Sequence, residues 1–372
     1  MIREISPPPA KRRKLNQVTT TATTHPPPSK PPGPPDPEAM RIFSWNVNGI
    51  TAFLQKSITS FFKISPKTKP IDNRIPPASL RDFLRRHHWP AMLLLQEVKI
   101  ARKDSKTQDA VRAAINASTS SKSSEPTYEA HFTLPNDPHN AKGPRGSGKV
   151  YGVCSILRSD LHSKCNTNVR TVNWDSEGRI SVVELSTPEA KVAVFNIYAV
   201  NGTDNPYRDP KTGVQKGTRH DRKLTVHKLL AEECKTLEEA GWQILLGGDM
   251  NVAPDARDGY PKLRTFPMQH TLNRSDFHSE LLQGKDNSKQ GFGGIDIWRQ
   301  HHGDERRYTY YSRGREWGTS CDRVDYFIAG RKLWDANMVT ESGILDSEAE
   351  RGPSDHVPIW VDIAFPPSSA ET

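Results

Sequence analysis

Paired cysteines are what this sequence most clearly lacks. It has four, Cys154, Cys165, Cys234 and Cys321, none in a C-x-x-C arrangement. Neither a disulfide framework nor a thiolate metal site is supported, and a reducing compartment is expected. Long apolar runs are missing as well. Nothing approaches the roughly 18 residues of a membrane span, and the first residues carry no apolar stretch of secretory type, so a soluble protein with no membrane partner is expected. Histidines at metal-binding spacing are also absent. The adjacent pairs His87-His88 and His301-His302 have no histidine four positions on, which disfavours zinc and leaves them as exposed polar residues. Nor is there an acidic excess: 52 Lys+Arg against 43 Asp+Glu leave +9. That balance suits a polyanionic partner held through phosphate contacts and counterion release.

Residues 1–39 hold 11 of the 30 prolines, a run of threonines and no aromatic residue. Such a stretch buries too little apolar surface to offset its ordering entropy, and a disordered tail is expected. Within it, Lys11-Arg12-Arg13-Lys14 beside Pro7-Pro8-Pro9 reads as a nuclear localisation signal, hence a nuclear location. Residues 40–366 change texture to short apolar runs between helical stretches and polar loops, one domain with enough apolar content for a core, and 367–372 form a short flexible end. Strands are expected at Arg41–Val47, Ala91–Leu95, Val192–Val200, Ile244–Leu246, Val324–Ala329 and Val357–Ile363. Leu80–Trp89 and Arg222–Ala240 carry apolar residues at helical spacing, the second stopped by Gly241. Mixed sheets covered by helices follow. Gln55–Pro77, Lys103–Pro126 and Asn136–Lys149 are expected to be exposed insertions. The third, with Lys142, Arg145 and Lys149, reads either as a loop that grips phosphate or as a tolerated insertion.

The polar residues fall where a core would reject them, at the ends of these strands. Trp45-Asn46-Val47-Asn48-Gly49 closes the first and Leu95-Gln96-Glu97 the second; Asn196-Ile197-Tyr198 with Asn201, and Gly247-Gly248-Asp249-Met250-Asn251, close two more. Arg323-Val324-Asp325-Tyr326 opens a strand, and Ser354-Asp355-His356 precedes the last. Loops at strand ends converge on one rim, so these groups are candidates for a single site. Oxygen ligands with few histidines and no paired thiolates favour Mg²⁺, with Mn²⁺ as a substitute. A catalyst for phosphodiester hydrolysis must neutralise the phosphate, orient a water and stabilise the departing oxygen. Here Glu97 can hold the metal on a phosphate oxygen, and Asp249 can position and deprotonate water. Asn251, Asn201 and Tyr198 can donate to developing charge, while His356 grips the phosphate and Asp325 orients its imidazole.

Taken together, these motifs resemble the exonuclease III family of abasic-site endonucleases, within the endonuclease/exonuclease/phosphatase superfamily. The likeness covers Met40–Phe365 and rests on Ser44–Gly49, Leu95–Lys99, Gly178-Arg179-Ile180, Gly247–Pro254, Tyr308–Ser312, Arg323–Phe327 and Ser354–Pro358. It implies a four-layer α/β sandwich, two face-to-face mixed β-sheets flanked by helices, opening on a DNA cleft. By the same likeness Asn48, Glu97 and Asp355 belong with the metal, together with Asp249, Asn251 and His356, which also serve catalysis beside Tyr198 and Asp325. Asn201, Lys99 and Arg179 are implied at the phosphate, and Tyr310 and Tyr311 around the flipped-out, base-less sugar. The implied partner is double-stranded DNA with abasic or 3′-blocked lesions, bound by a monomer. Ile50-Thr51-Ala52 departs from the family's usual Leu-Arg-Ala, and Val200 from its usual proline. Two other readings stay open: the same chemistry on RNA 3′ ends, tyrosyl–DNA adducts or phosphoinositides, and a non-catalytic DNA-binding homologue.

Overall fold

The computed structural model describes residues 27–54, 78–117, 125–141, 151–282 and 291–365. The basic cluster Lys11–Lys14, the insertion Gln55–Pro77, the loop cations Lys142, Arg145 and Lys149, and the end 367–372 lie outside the described residues. Twelve strands make two six-stranded sheets: β1 (Ala39–Asn46), β2 (Met92–Gln96), β3 (Tyr128–Thr133), β4 (Val153–Arg158), β5 (Asn166–Thr171), β6 (Ile180–Ser186), β7 (Lys191–Tyr198), β8 (Gln243–Asp249), β9 (Ile295–Asp296), β10 (Asp325–Ala329), β11 (Val339–Ile344) and β12 (Ile359–Ala364). One sheet runs β11-β12-β1-β2-β4-β3 and the other β9-β10-β8-β7-β6-β5. In each, the central pair is parallel, β1 with β2 and β7 with β8, and the other pairs are antiparallel. These are the mixed sheets expected from sequence.

Alternation along the strands sorts side chains into layers. Ile42, Met92, Leu94, Val192, Val194 and Leu245 fill the space between the sheets. Their neighbours Phe43, Leu93 and Leu95 turn outward to Leu80, Phe83 and Leu84 of α1 (Leu80–Arg86) and to Val111 and Ile115 of α2 (Ser105–Ile115). On the other sheet Ala193, Phe195, Ile244 and Leu246 turn outward to α3 (Arg219–Glu239) and α4 (Met268–Leu281) through Leu230, Cys234, Leu237 and Phe277. Burial on both faces is why β2 and β7 read as nearly unbroken apolar runs. Helix, sheet, sheet and helix make the four layers.

Helix ends follow local chemistry. Thr218 and Asp221 form a capping box at the start of α3, and Gly241 at φ 86° ends it in the left-handed region. Two expectations need correction. Lys103–Pro126 is not all loop, because Asp104 caps α2, whose Val111 and Ile115 are buried against the sheet. His87 is not exposed: it packs on Phe43 and Phe83, and its Nε2 lies 3.1 Å from Glu350 Oε2. A half-polar ring beside aromatic partners and one carboxylate is at home in a core. Ahead of β1, the Ser29 hydroxyl donates to Asp346 Oδ1 at 2.6 Å.

The layer between the sheets changes character along the strands. Past its apolar part, the inward positions become Ser44, Gln96, Asn196, Ser155 and Ser181, all buried. Gln96 Nε2 donates to Ser44 Oγ and Asn196 Oδ1, each at 2.9 Å, Asn196 Nδ2 donates to Ser155 Oγ at 3.2 Å, and the two serine hydroxyls are 2.9 Å apart. A buried polar network of this kind fixes how one sheet sits on the other. One step further along the same rows stand Asn46, Tyr198 and Asp249.

Candidate active site

Parallel strands deliver their C-terminal ends to one rim, and antiparallel neighbours deliver their starts. Asp249 ends β8 directly opposite Asp325, which opens β10. Asn46 ends β1, and Ser354–His356 leads into β12. That last segment is tied down: Ser354 Oγ donates to the Asn46 carbonyl at 2.6 Å, and Trp45 Nε1 donates to the His356 carbonyl at 2.9 Å. Gly248 holds a conformation only glycine tolerates here, with φ 147° and the Ile197 carbonyl oxygen 1.9 Å from where a Cβ would lie. Asn48, Glu97, Lys99 and Asn251 all adopt positive φ, between 49° and 55°. Positive φ is uncommon outside glycine, and four of the seven such residues among the described ones stand at this rim.

These elements enclose a cavity of about 330 Å³. Glu97, Tyr198, Asn201, Asp249, Asn251, Tyr310, Asp355 and His356 are among its lining. At its floor Asn46 Nδ2 donates to Asp249 Oδ2 at 2.9 Å and reaches Glu97 Oε2 at 3.3 Å, joining two carboxylates 152 positions apart in the chain. The Asn251 backbone N–H donates to Asp249 Oδ1 at 2.8 Å. His356 Nδ1 lies 2.8 Å from Asp325 Oδ2, and its Nε2 lies 3.9 Å from Asp249 Oδ2. Thr309 Oγ1 accepts from the N–H groups of Val324 and Asp325, 3.0 Å each, and so fixes the start of β10.

Electrostatics follow from this packing. Burial, reinforced by the Asp325 charge, pushes the Asp249 carboxyl well above the aspartate range. Burial opposes charge on His356, but the Asp325 and Asp249 carboxylates overcome it and raise the imidazole, so it stays protonated at neutral pH. Burial and the nearby Glu97 hold the Tyr198 phenol far above 10, which keeps it a hydrogen-bond donor. Lys223, buried on α3, donates to the Asn251 carbonyl at 2.8 Å, and burial brings its ammonium down to about 7.

A divalent cation has two places to consider. One atom each of Asp249, Asp325 and His356 lie within 4.8 Å of one another. Asp325 Oδ2 is already committed to the imidazole there, and the raised proton of His356 would compete with an ion. The other side fits better. Lys99 Nζ sits 2.9 Å from Glu97 Oε1 and also donates to Asn48 Oδ1, so these two oxygens already converge on positive charge. Asn48 Nδ2 donates to Asp355 Oδ1 at 2.8 Å, bringing a further carboxylate. An all-oxygen set of Asn48, Glu97 and Asp355 is what a hard cation requires.

Three expected contacts are missing from the cavity lining: Lys99, held on Glu97 and Asn48, and the buried Arg179 and Tyr311. Arg179 is buried, with its guanidinium on Glu177 Oε2 at 3.0 Å and directed to the Tyr198 and Ala199 carbonyls, stacked over the Tyr151 and Tyr198 rings. It fixes the end of β7 instead of meeting solvent. Tyr311 alternates away from Tyr310, and its ring lies on Trp317 with centroids 3.7 Å apart, inside the core. Conversely, Asn46 stands in a strand-end motif to which the sequence assigns it no role, and Lys223 is not singled out from sequence at all. The signal for Asn46 was the period-2 row Ser44, Asn46 on one strand face; for Lys223 it was a lysine on the same helical stripe as Val226, Leu230 and Cys234.

Comparison with known proteins agrees with this geometry. The family model described as Endonuclease/Exonuclease/phosphatase family matches residues 43–356. The AP endonuclease LMAP from Leishmania major superposes with a TM-score of 0.58 at 18% identity, covering 88% of this chain and 89% of its own. The Xenopus laevis APE2 catalytic domain gives 0.56 at 18% identity, covering 89% and 94%. The 3′ phosphatase NExo from Neisseria, solved with a product DNA hairpin, gives 0.52 at 17% identity, covering 88% and 100%. No curated protein sequence matches the chain. With a family match that spans most of its length and begins and ends on residues of the sheets and the cavity, the chain belongs to the endonuclease/exonuclease/phosphatase family, whose nucleases act on phosphodiester bonds and depend on divalent metals.

Proposed function

We propose that the chain is a Mg²⁺-dependent DNA phosphodiesterase of nuclear base excision repair that incises 5′ to abasic sites and also trims blocked 3′ ends. The observation that carries this reading is Asp249, held by Asn46 and the Asn251 N–H and facing His356 Nε2 across 3.9 Å. A carboxylate whose proton affinity is raised by burial is a better base than a free aspartate, and here its two oxygens are aimed by fixed donors. In this reading Asp249 orients the attacking water and takes its proton. The His356 imidazolium holds a phosphate oxygen, oriented by Asp325, and Tyr198, Asn201 and Asn251 donate to the charge that develops. Asn48, Glu97 and Asp355 would hold the cation, which supplies charge neutralisation at the phosphate. An AP endonuclease and a 3′ phosphatase are among the proteins of similar structure. The basic cluster Lys11–Lys14 supports nuclear import.

Further lining residues of the cavity favour a second weighting of the same activity. They include Asp322, Arg264, His270 and Asn273, and a polar lining suits the hydroxyls and phosphate of a strand end as well as a base-less sugar. Digestion of abasic, 3′-phosphate and undamaged duplexes in parallel, with Mg²⁺ and with chelator, tests both. Cleavage of the abasic duplex that chelator abolishes is expected. Equal rates on undamaged duplex would refute lesion specificity, and dominance of the 3′-phosphate substrate would select the second weighting.

A further inference from the structure

The first turns of α3 bury a run of basic side chains, and all but one have a matching partner. Arg219 and Arg222 lie on Glu177 at 2.6 and 3.6 Å, His220 Nδ1 is 2.7 Å from Asn273 Nδ2, and His227 Nδ1 is 2.7 Å from Asp276 Oδ2. Lys223 is the exception. It is 2% exposed, and among the described residues its ammonium forms no ion pair. Its hydrogen bond goes to an uncharged group, the Asn251 carbonyl, at 2.8 Å. An ammonium has three N–H groups to place, and this one lines the cavity beside Gly202, Asn251, His270, Asn273 and Arg274.

Burying a cation without an anion opposes folding, and a neutral donor would serve the Asn251 carbonyl as well. What the ammonium adds is charge at the cavity. Burial pulls it down to about 7, only partly opposed by the Asp249 charge, and Arg179 adds like charge. The surroundings are cationic too: burial and the charges of Arg264, His220, Lys223 and Arg274 hold His270 below the usual imidazole range. Asp322, also in the lining, acts on Arg264 and Arg274. Building on the nuclease reading above, we propose that the counter-ion of Lys223 is the substrate: its ammonium takes an oxygen of a phosphate group of the bound strand while it holds Asn251 by its carbonyl. Asn251, at φ 53°, has its N–H on Asp249 Oδ1 and its amide on the Ala199 carbonyl. Its third tie is thus a cation whose charge is matched only when phosphate has entered. The ligand class is a phosphoester anion, and an uncharged ligand would leave the ammonium unpaired.

The test compares wild type with K223M, K223Q and K223R. Urea unfolding gives stability, anisotropy of a labelled duplex with an abasic analogue in chelator gives affinity across a salt series, and Mg²⁺ then gives cleavage of the same duplex. K223M is expected to be at least as stable as wild type, because methionine fills similar space without a charge. Duplex affinity should fall about tenfold in K223M and K223Q, the scale of one charge-assisted hydrogen bond. The slope of log affinity against log salt should become shallower by about one, and K223R should restore both. A lysine that only held Asn251 or packed α3 would leave that slope unchanged. Should K223M fail to fold, K223Q gives the same reading, since it keeps a donor and loses only the charge. Affinity within twofold of wild type and an unchanged slope in the neutral variants would overturn the proposal while leaving the nuclease reading standing. The expected slope change, in a wild type that cleaves none of the abasic, 3′-phosphate and undamaged duplexes, would overturn the nuclease reading and keep the phosphate contact.

Discussion

Two buried charge clusters in this protein stand one strand end apart and behave oppositely. Around Glu177, the guanidinium groups of Arg179 and Arg219 lie at 3.0 and 2.6 Å and that of Arg222 at 3.6 Å. Burial alone would raise Glu177, but three cations overcome it and bring it down to about 2. Around Asp249, the nearest charges are one imidazolium and a second carboxylate, Asp325, whose Oδ1 has no hydrogen-bond partner among the described residues. There burial and like charge win, and the carboxyl is raised. Burial is common to both. What separates the two is the sign of the neighbouring charges, which decides whether the carboxylate's affinity for protons is removed or, as the proposed base would need, raised.

The largest effect should come from the raised side. Asp249→Asn keeps the shape but removes the base, and turnover on an abasic duplex is expected to fall about 10²–10⁴-fold while DNA affinity stays within a few-fold. A variant that keeps full turnover would erase the distinction. On the structural side, Glu177→Gln leaves three buried guanidinium groups without their anion and should destabilise folding by about 3–5 kcal/mol in urea titrations at neutral pH. The sign follows from linkage. A lowered carboxyl contributes stability that is fully present above the ordinary glutamate range and is lost as pH falls toward about 2, so the gap between wild type and variant should close on acidification. A gap independent of pH would mean that packing, not charge, holds that corner. The smallest effect sharpens the contrast. In the proposed mechanism Asp249 works as its carboxylate, so kcat/KM should decline on acidification at a pH above the usual aspartate range. His356→Gln removes the charge that stabilises the carboxylate, so this decline should move to still higher pH in the residual activity. An unmoved profile would show that the imidazole does not act on Asp249.

Much of this was legible beforehand because strands announce themselves by uninterrupted or alternating apolar residues, and polar groups at their ends cannot be explained by packing. Tyr198, Asp249, Asn251 and His356 were found that way, and they share the cavity. Arg179 and Tyr311 illustrate the limit. Both belong to the motifs that carried the likeness, yet one is spent on Glu177 and the β7 carbonyls and the other on Trp317. Whether a side chain near a strand end meets solvent depends on the sheet face it takes and on who is waiting there, and short motifs contain neither. The same applies to His87, whose partner Glu350 is 263 positions away.

The sequence by itself determined the layers, the strand ends that would carry polar groups, and an oxygen-rich donor set suited to a hard cation. Only the tertiary structure decided that Asn46 joins Glu97 to Asp249, that Asp325 stands opposite Asp249, and that Lys99 lies between Glu97 and Asn48. The reason is physical: proton affinity, hydrogen bonding and exposure are set over a few ångströms of space, and the groups that set them here are brought together from segments up to three hundred residues apart.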